Sequence, residues 1–80
     1  MFQKKVKFDT ISQVQKFVDA ISKIDADFDI IHNRYVIDAK SIMGIFSLDL
    51  STELKLNVHT EDKDIEKNVT GLLKEIGVLR

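Results

Sequence analysis

The sequence predicts a single α+β domain over residues 1–80, with a four-stranded antiparallel sheet covered on one face by three helices. Three observations predict it. Four stretches alternate apolar and polar residues with the period of a strand, and three others repeat apolar residues at helical spacing. These stretches follow one another in the order β-α-β-β-α-β-α. Each helical stretch carries an apolar stripe, and a sheet with one apolar face would bury all three in a two-layer domain. A ferredoxin-like fold is the structural alternative, because its elements share the order of the first six here.

Phe2 to Phe8 alternate, with Phe2, Lys4, Val6 and Phe8 on one face and Gln3, Lys5 and Lys7 on the other. Lys4 is the one charged residue on the apolar side. Thr10 and Gln13 have the T-x-x-Q spacing of a capping box. Val14, Phe17, Val18, Ile21 and Ile24 then predict an amphipathic helix from about Ile11 to Ile24. Asp27 to His32 is the second strand, with Phe28 and Ile30 on one face. His32-Asn33-Arg34-Tyr35 reads as a tight hairpin, because asparagine tolerates positive φ. Tyr35 to Ala39 alternates again as the third strand.

Ser41 stands at the N-cap of a short helix that ends near Asp49. Ile45 and Leu48 fit its inward face, while Ile42, Met43 and Phe46 fall partly on another. Gly44 interrupts this apolar run. A glycine inside a helix costs about 1 kcal/mol relative to alanine, so its presence calls for a packing or functional reason. Leu54, Leu56 and Val58 alternate with Glu53, Lys55, Asn57 and His59 as the fourth strand. Thr60 or Asp62 caps the last helix, whose stripe is Ile65, Val69, Leu72, Leu73 and Ile76 and whose stop is Gly77.

Composition narrows the function. The chain is 44% hydrophobic and 31% charged, the balance of a folded soluble domain rather than a disordered one. With 12 basic and 13 acidic residues it lacks the basic excess of a nucleic-acid binder. It has no cysteine, which excludes disulfides and cysteine-ligated metals and fits a reducing cytoplasm. No apolar run near the N-terminus is long enough for a signal peptide or a membrane span. No cofactor motif is present, and three glycines form no phosphate-binding loop.

The residues that bear chemistry are few. Met43 and Phe46, if exposed beside Ser41, make a docking patch next to a hydroxyl that can be phosphorylated. The same pattern also fits a helix buried in a small core. Asp9, Thr10 and Ser12 at the start of the first helix read as capping and first-turn groups. His32 lies at the hairpin and His59 at the end of the fourth strand, too far apart in sequence to make a metal pattern. Asp25, Asp27 and Asp29 share a face and read as solvent-facing. Asn68-Val69-Thr70 matches a glycosylation sequon but falls within a helical stripe.

Lys40-Ser41-Ile42-Met43-Gly44-Ile45-Phe46-Ser47-Leu48 resembles the regulatory-serine segment of the histidine-containing phosphocarrier family, HPr, of bacterial sugar phosphotransferase systems. The match is to the Lys-Ser-Ile-Met-Gly run, two apolar residues and Ser-Leu of the family's low-GC Gram-positive branch. The opening Met1-Phe2-Gln3 and the order of elements are similar too. The resemblance implies an open-faced β-sandwich in the cytoplasm, no enzymatic activity of its own, and protein partners. Those are an HPr kinase/phosphorylase, enzyme I, sugar-specific permease subunits and a LacI-type transcription regulator. It makes Ser41 the regulatory phosphorylation site, and Lys40, Ile42, Met43, Phe46 and Ser47 the partner-binding residues.

One part of the family pattern is missing. Its phosphoacceptor histidine lies in a Gly-Leu-His-x-Arg-Pro motif at the start of the first helix, where a helix N-terminus and an arginine favour the incoming anion. This chain has Phe8-Asp9-Thr10-Ile11-Ser12-Gln13 there, in a shorter loop. A known branch of the family keeps the serine without the histidine and acts in catabolite repression. The expectation is therefore a regulatory interaction domain switched at Ser41. The alternatives are a partner-binding module that is never phosphorylated and a phosphocarrier with an atypical acceptor.

Overall fold

The computed structural model describes all 80 residues. The elements are β1 (Phe2–Val6), α1 (Ile11–Ile21), β2 (Asp27–His32), β3 (Tyr35–Asp38), α2 (Ile42–Phe46), β4 (Leu54–His59) and α3 (Lys63–Ile76). The strands form one antiparallel sheet in the order β1-β4-β2-β3. β4 lies between β1 and β2, whereas a ferredoxin-like sheet would put β3 there; the predicted α+β class holds and that alternative does not.

Register explains which residues meet. Val6, Leu54, Phe28, Ile30, Leu56 and Val58 share the covered face and are buried. Val14, Phe17 and Ile21 of α1, Ile45 of α2, and Val69 and Leu73 of α3 close over them. Lys4 does not break the apolar face, because its stem lies along it and its ammonium reaches Glu66 of α3 at 3.7 Å. The opposite face of the sheet carries no helix.

The ends of the elements follow their caps. α1 begins with the predicted capping box: Thr10 Oγ1 accepts from the Gln13 N–H, and Gln13 Oε1 accepts from the Thr10 N–H. It stops at Ile21, three residues earlier than its apolar spacing suggests. Ile24 is still buried, carried inward by a turn in which its N–H donates to the Ile21 carbonyl at 3.0 Å. β1 likewise ends at Val6, although Phe8 continues into the core. β3 ends at Asp38 rather than Ala39, and α2 at Phe46 rather than near Asp49. Asn33 turns the hairpin at φ 55°. Asp62 caps α3, and Gly77 ends it in the left-handed region at φ 88°.

The last three residues add something no pattern announced. Lys7 N–H donates to the Val78 carbonyl and Arg80 N–H to the Lys5 carbonyl, each at 2.9 Å, with Val6 opposite Leu79. Residues 78–80 thus run along the outer edge of β1 at its Val6 end and pair the outward backbone groups of Lys5 and Lys7.

Candidate functional site

Ser41 sits where the chain leaves β3 and turns into α2. Asp38 shapes that turn: its carboxylate accepts from the Lys40 N–H at 2.9 Å and its carbonyl from the Ser41 N–H at 3.0 Å. Ser41 is extended, at φ −95° and ψ 104°, and its hydroxyl oxygen accepts from the Gly44 N–H at 3.2 Å. It is the N-cap that the sequence predicts, and it is exposed to solvent.

The glycine at position 44 now has a reason. A Cβ there would lie 2.6 Å from Ile37 Cγ2 and 3.2 Å from the Ser41 hydroxyl. Only a residue without a side chain lets α2 lie this close to β3 while Ser41 keeps its cap.

Ile45 anchors the helix in the core, and Ile42 and Leu48 pack half-buried against it. Met43 is left 75% exposed and Phe46 37% exposed. Ser47 is exposed and donates its hydroxyl to the Gly44 carbonyl at 2.6 Å, closing the C-terminal turn. The expected patch is therefore Met43, Phe46 and Ser47 around Ser41, with Ile42 presenting only one side. Lys40 is placed differently. Its ammonium donates to the Ile24 carbonyl at 2.9 Å and stands 5.6 Å from the centre of the Phe28 ring. Its charge holds β3 to the loop after α1 rather than standing free beside Ser41.

A second group of polar residues surrounds the start of α1. The Asp9 carboxylate lies 2.6 Å from Lys7 Nζ and 3.2 Å from the Arg80 guanidinium. Its own N–H donates to Gln13 Oε1 at 2.6 Å. No histidine is among these residues. The hydrogen bond from Lys7 and then the Lys7 charge, with a smaller contribution from Arg80, hold the Asp9 carboxyl below its ordinary 3.8. A carboxyl whose folded value is depressed lends stability above its unfolded value and loses it as pH falls through the folded one. Asp9→Asn is expected to lower stability at neutral pH, to converge on the wild type as pH falls below about 4, and so to flatten the acid limb of the stability–pH profile. An unchanged acid limb in thermal unfolding would show that the three side chains are not coupled.

Ile11, in the first turn of α1, is 65% exposed and escaped the sequence reading. It lies off the stripe of Val14, Phe17 and Ile21, and being off the stripe was the only signal it offered. The helix it starts packs against α2.

The remaining candidates stay apart from Ser41. His32 ends β2 half-buried, at the same end of the sheet as the start of α1 but with β4 between it and β1. His59 Nε2 lies 2.5 Å from an Asp29 oxygen on the uncovered face. Asp27 shares that face, while Asp25 lies outside the strand. No three such side chains converge as metal ligands would. Asn68 and Thr70 lie within α3, where the threonine hydroxyl donates to the Glu66 carbonyl. No helix is long and apolar enough to cross a membrane.

Compared with known proteins, residues 12–76 match the family model described as "PTS HPr component phosphorylation site". No curated protein matches the chain.

Proposed function

From the premise that this chain belongs to the PTS HPr family, we propose that it serves the phosphoenolpyruvate-dependent sugar phosphotransferase system as a regulatory protein-interaction domain switched by phosphorylation of Ser41. Family members are phosphocarrier proteins that work through other proteins rather than enzymes in their own right. The observation that carries the finer reading is the exposed Ser41 hydroxyl at the start of a helix whose Met43 and Phe46 side chains face solvent.

The chemistry is transfer of one phosphoryl group. The Ser41 oxygen attacks the γ-phosphorus of ATP on a kinase, ADP leaves, and the serine proton passes to a base on that kinase. The product adds nearly two negative charges beside Met43 and Ile42. Ser41 can no longer accept from Gly44 through a neutral hydroxyl, so the first turn of α2 is reorganised around the phosphate. A helix of five residues contributes little dipole, and the switch is local: the patch changes from apolar to anionic at one edge. Partners that read it are the HPr kinase/phosphorylase, enzyme I or permease subunits, or a transcription regulator, in the cytoplasm. Met43, Phe46 and Ser47 form the contact surface, Ile42 flanks it, and Lys40 supports it from behind.

The sequence supports a regulator over a carrier, since the first histidine is His32 and Asp9-Thr10 stand where the family's acceptor motif would be. The deciding experiment is intact mass after incubation with ATP and an HPr kinase, against phosphoenolpyruvate with enzyme I. One phosphate from ATP is expected, abolished in Ser41→Ala and retained in Ser47→Ala. Acid-labile phosphate from phosphoenolpyruvate alone would make the chain a carrier with an atypical acceptor. No phosphate from either donor would leave a partner-binding module.

A further inference from the structure

We propose that the uncovered face of the sheet is a self-association surface, on which a second copy of this chain docks with its strands crossed at a steep angle. The proposal is independent of Ser41, which lies elsewhere.

Register lays this face out in rows. At one end lie Lys5, Lys55, Ile31 and Val36, one from each strand across the sheet. The middle row is Gln3, Asn57, Asp29 and Asp38, and the far row holds His59 and Asp27. Positive charge therefore occupies the corner on β1 and β4, and negative charge the diagonally opposite corner on β2 and β3. Apolar side chains hold the other diagonal: exposed Val36 with half-buried Ile31 beside it at one corner and, by the parity of β1, exposed Met1 at the other, where its terminal ammonium is paired with Glu61.

The neighbouring charges do not erase this pattern. Lys7 is paired with Asp9, and His59 with Asp29. Lys40 is turned toward the Ile24 carbonyl, away from this face. Glu53 lies beyond the end of β4, at the margin. The middle of the face is tied down, since Gln3 Nε2 donates to Asn57 Oδ1 at 2.7 Å and Asn57 is only 8% exposed.

A two-fold interface pairs each residue with the image of another, so a surface fits itself only if its charges are related by the axis. Here one axis does this. It lies in the plane of the face, along the diagonal from Met1 to Val36. With strands about 4.8 Å apart and same-face residues about 6.8 Å apart, that rotation sets Lys55 opposite Asp38 of the second copy and Lys5 near Asp27 of the second copy. The lysines enter a shallow depression of about 390 Å³ lined by Asp27, Phe28, Asp29, Asp38 and His59. Val36 meets its own image on the axis, with Ile31 beside it. The crossing is the orthogonal class of sheet packing. An axis parallel to the strands would instead set Lys55 opposite Ile31 and Lys5 opposite Val36, giving neither lysine a carboxylate.

The face is only about 20 Å by 16 Å, below the size of a standard stable interface, so the dimer is a weak one. It depends on charge, and salt weakens it.

Sedimentation equilibrium of the whole chain, from micromolar to millimolar concentration in low salt, tests this. The wild type is expected to approach dimer mass. Lys5→Glu and Asp27→Lys, both at exposed positions, are each expected to raise the dissociation constant by roughly tenfold or more, each change counting twice by symmetry. Mixing the two variants restores dimers, because each supplies the charge the other now lacks. Circular dichroism confirms that both fold. A wild type that stays monomeric throughout, dimers that survive both substitutions, or a mixture that remains monomeric would each overturn the proposal.

Discussion

Phe17→Ala is expected to destabilise the domain by about 3–5 kcal/mol, the usual cost of emptying a fully buried aromatic site. Phe17 is completely buried and meets the Phe8 ring edge-on, with centroids 5.1 Å apart at 63°. It is the largest side chain that α1 sends into the core. Phe8 lies beyond the last residue of β1, so this ring pair holds the loop that delivers Asp9 and Thr10 to the start of α1. Domains of this size have roughly 5–15 kcal/mol in all. The melting temperature should fall by roughly 15–30 °C. A fall of less than about 5 °C would mean that the site collapses around the missing ring, against the packing described above.

Gly44→Ala is the second large effect, and its sign is informative. The new methyl would lie 2.6 Å from Ile37 Cγ2, so α2 must lift from β3 or Ile37 must leave its place. Overpacking of this kind costs about 1–3 kcal/mol. Gly71, in the middle of α3, is the internal contrast. A Cβ there meets nothing within 4 Å, so Gly71→Ala should stabilise by about 0.5–1 kcal/mol through helix propensity. Pairing Gly44→Ala with Ile37→Ala should remove most of the penalty specific to the clash, which a double-mutant cycle measures. If both glycine variants shift stability in the same direction, the close approach of α2 to β3 is not what keeps residue 44 small.

Element type and order were legible because the apolar period is strong in every stretch. The misjudged ends share a physical cause. Periodicity reports burial, not backbone conformation. Ile24 and Phe8 keep the inward rhythm of their elements and are buried, yet each reaches the core from a turn or loop. Around Ser41 the cap was legible because it follows from local spacing, whereas spacing left open whether Met43 and Phe46 are exposed or buried, since that depends on how much of α2 the rest of the fold covers. The sequence could not place Lys40, whose partners Ile24 and Phe28 are 16 and 12 residues away along the chain. Nor could it give the reason for Gly44, which depends on Ile37 in another element. The C-terminal strap on β1 was hidden for a different reason: three residues are too few to carry a period.

The sheet order has a consequence during synthesis. β1 has one full strand neighbour, β4, and their register joins Val6 to Leu54. At typical elongation rates of about 5–20 residues per second, the nascent chain carries β1 without its partner for about 3–10 s. The hairpin of β2 and β3 forms from residues close in sequence, but the strand that unites it with β1 leaves the ribosome late. The sheet is thus built from its β3 edge toward β1, and β1 is joined to it only once β4 has been made.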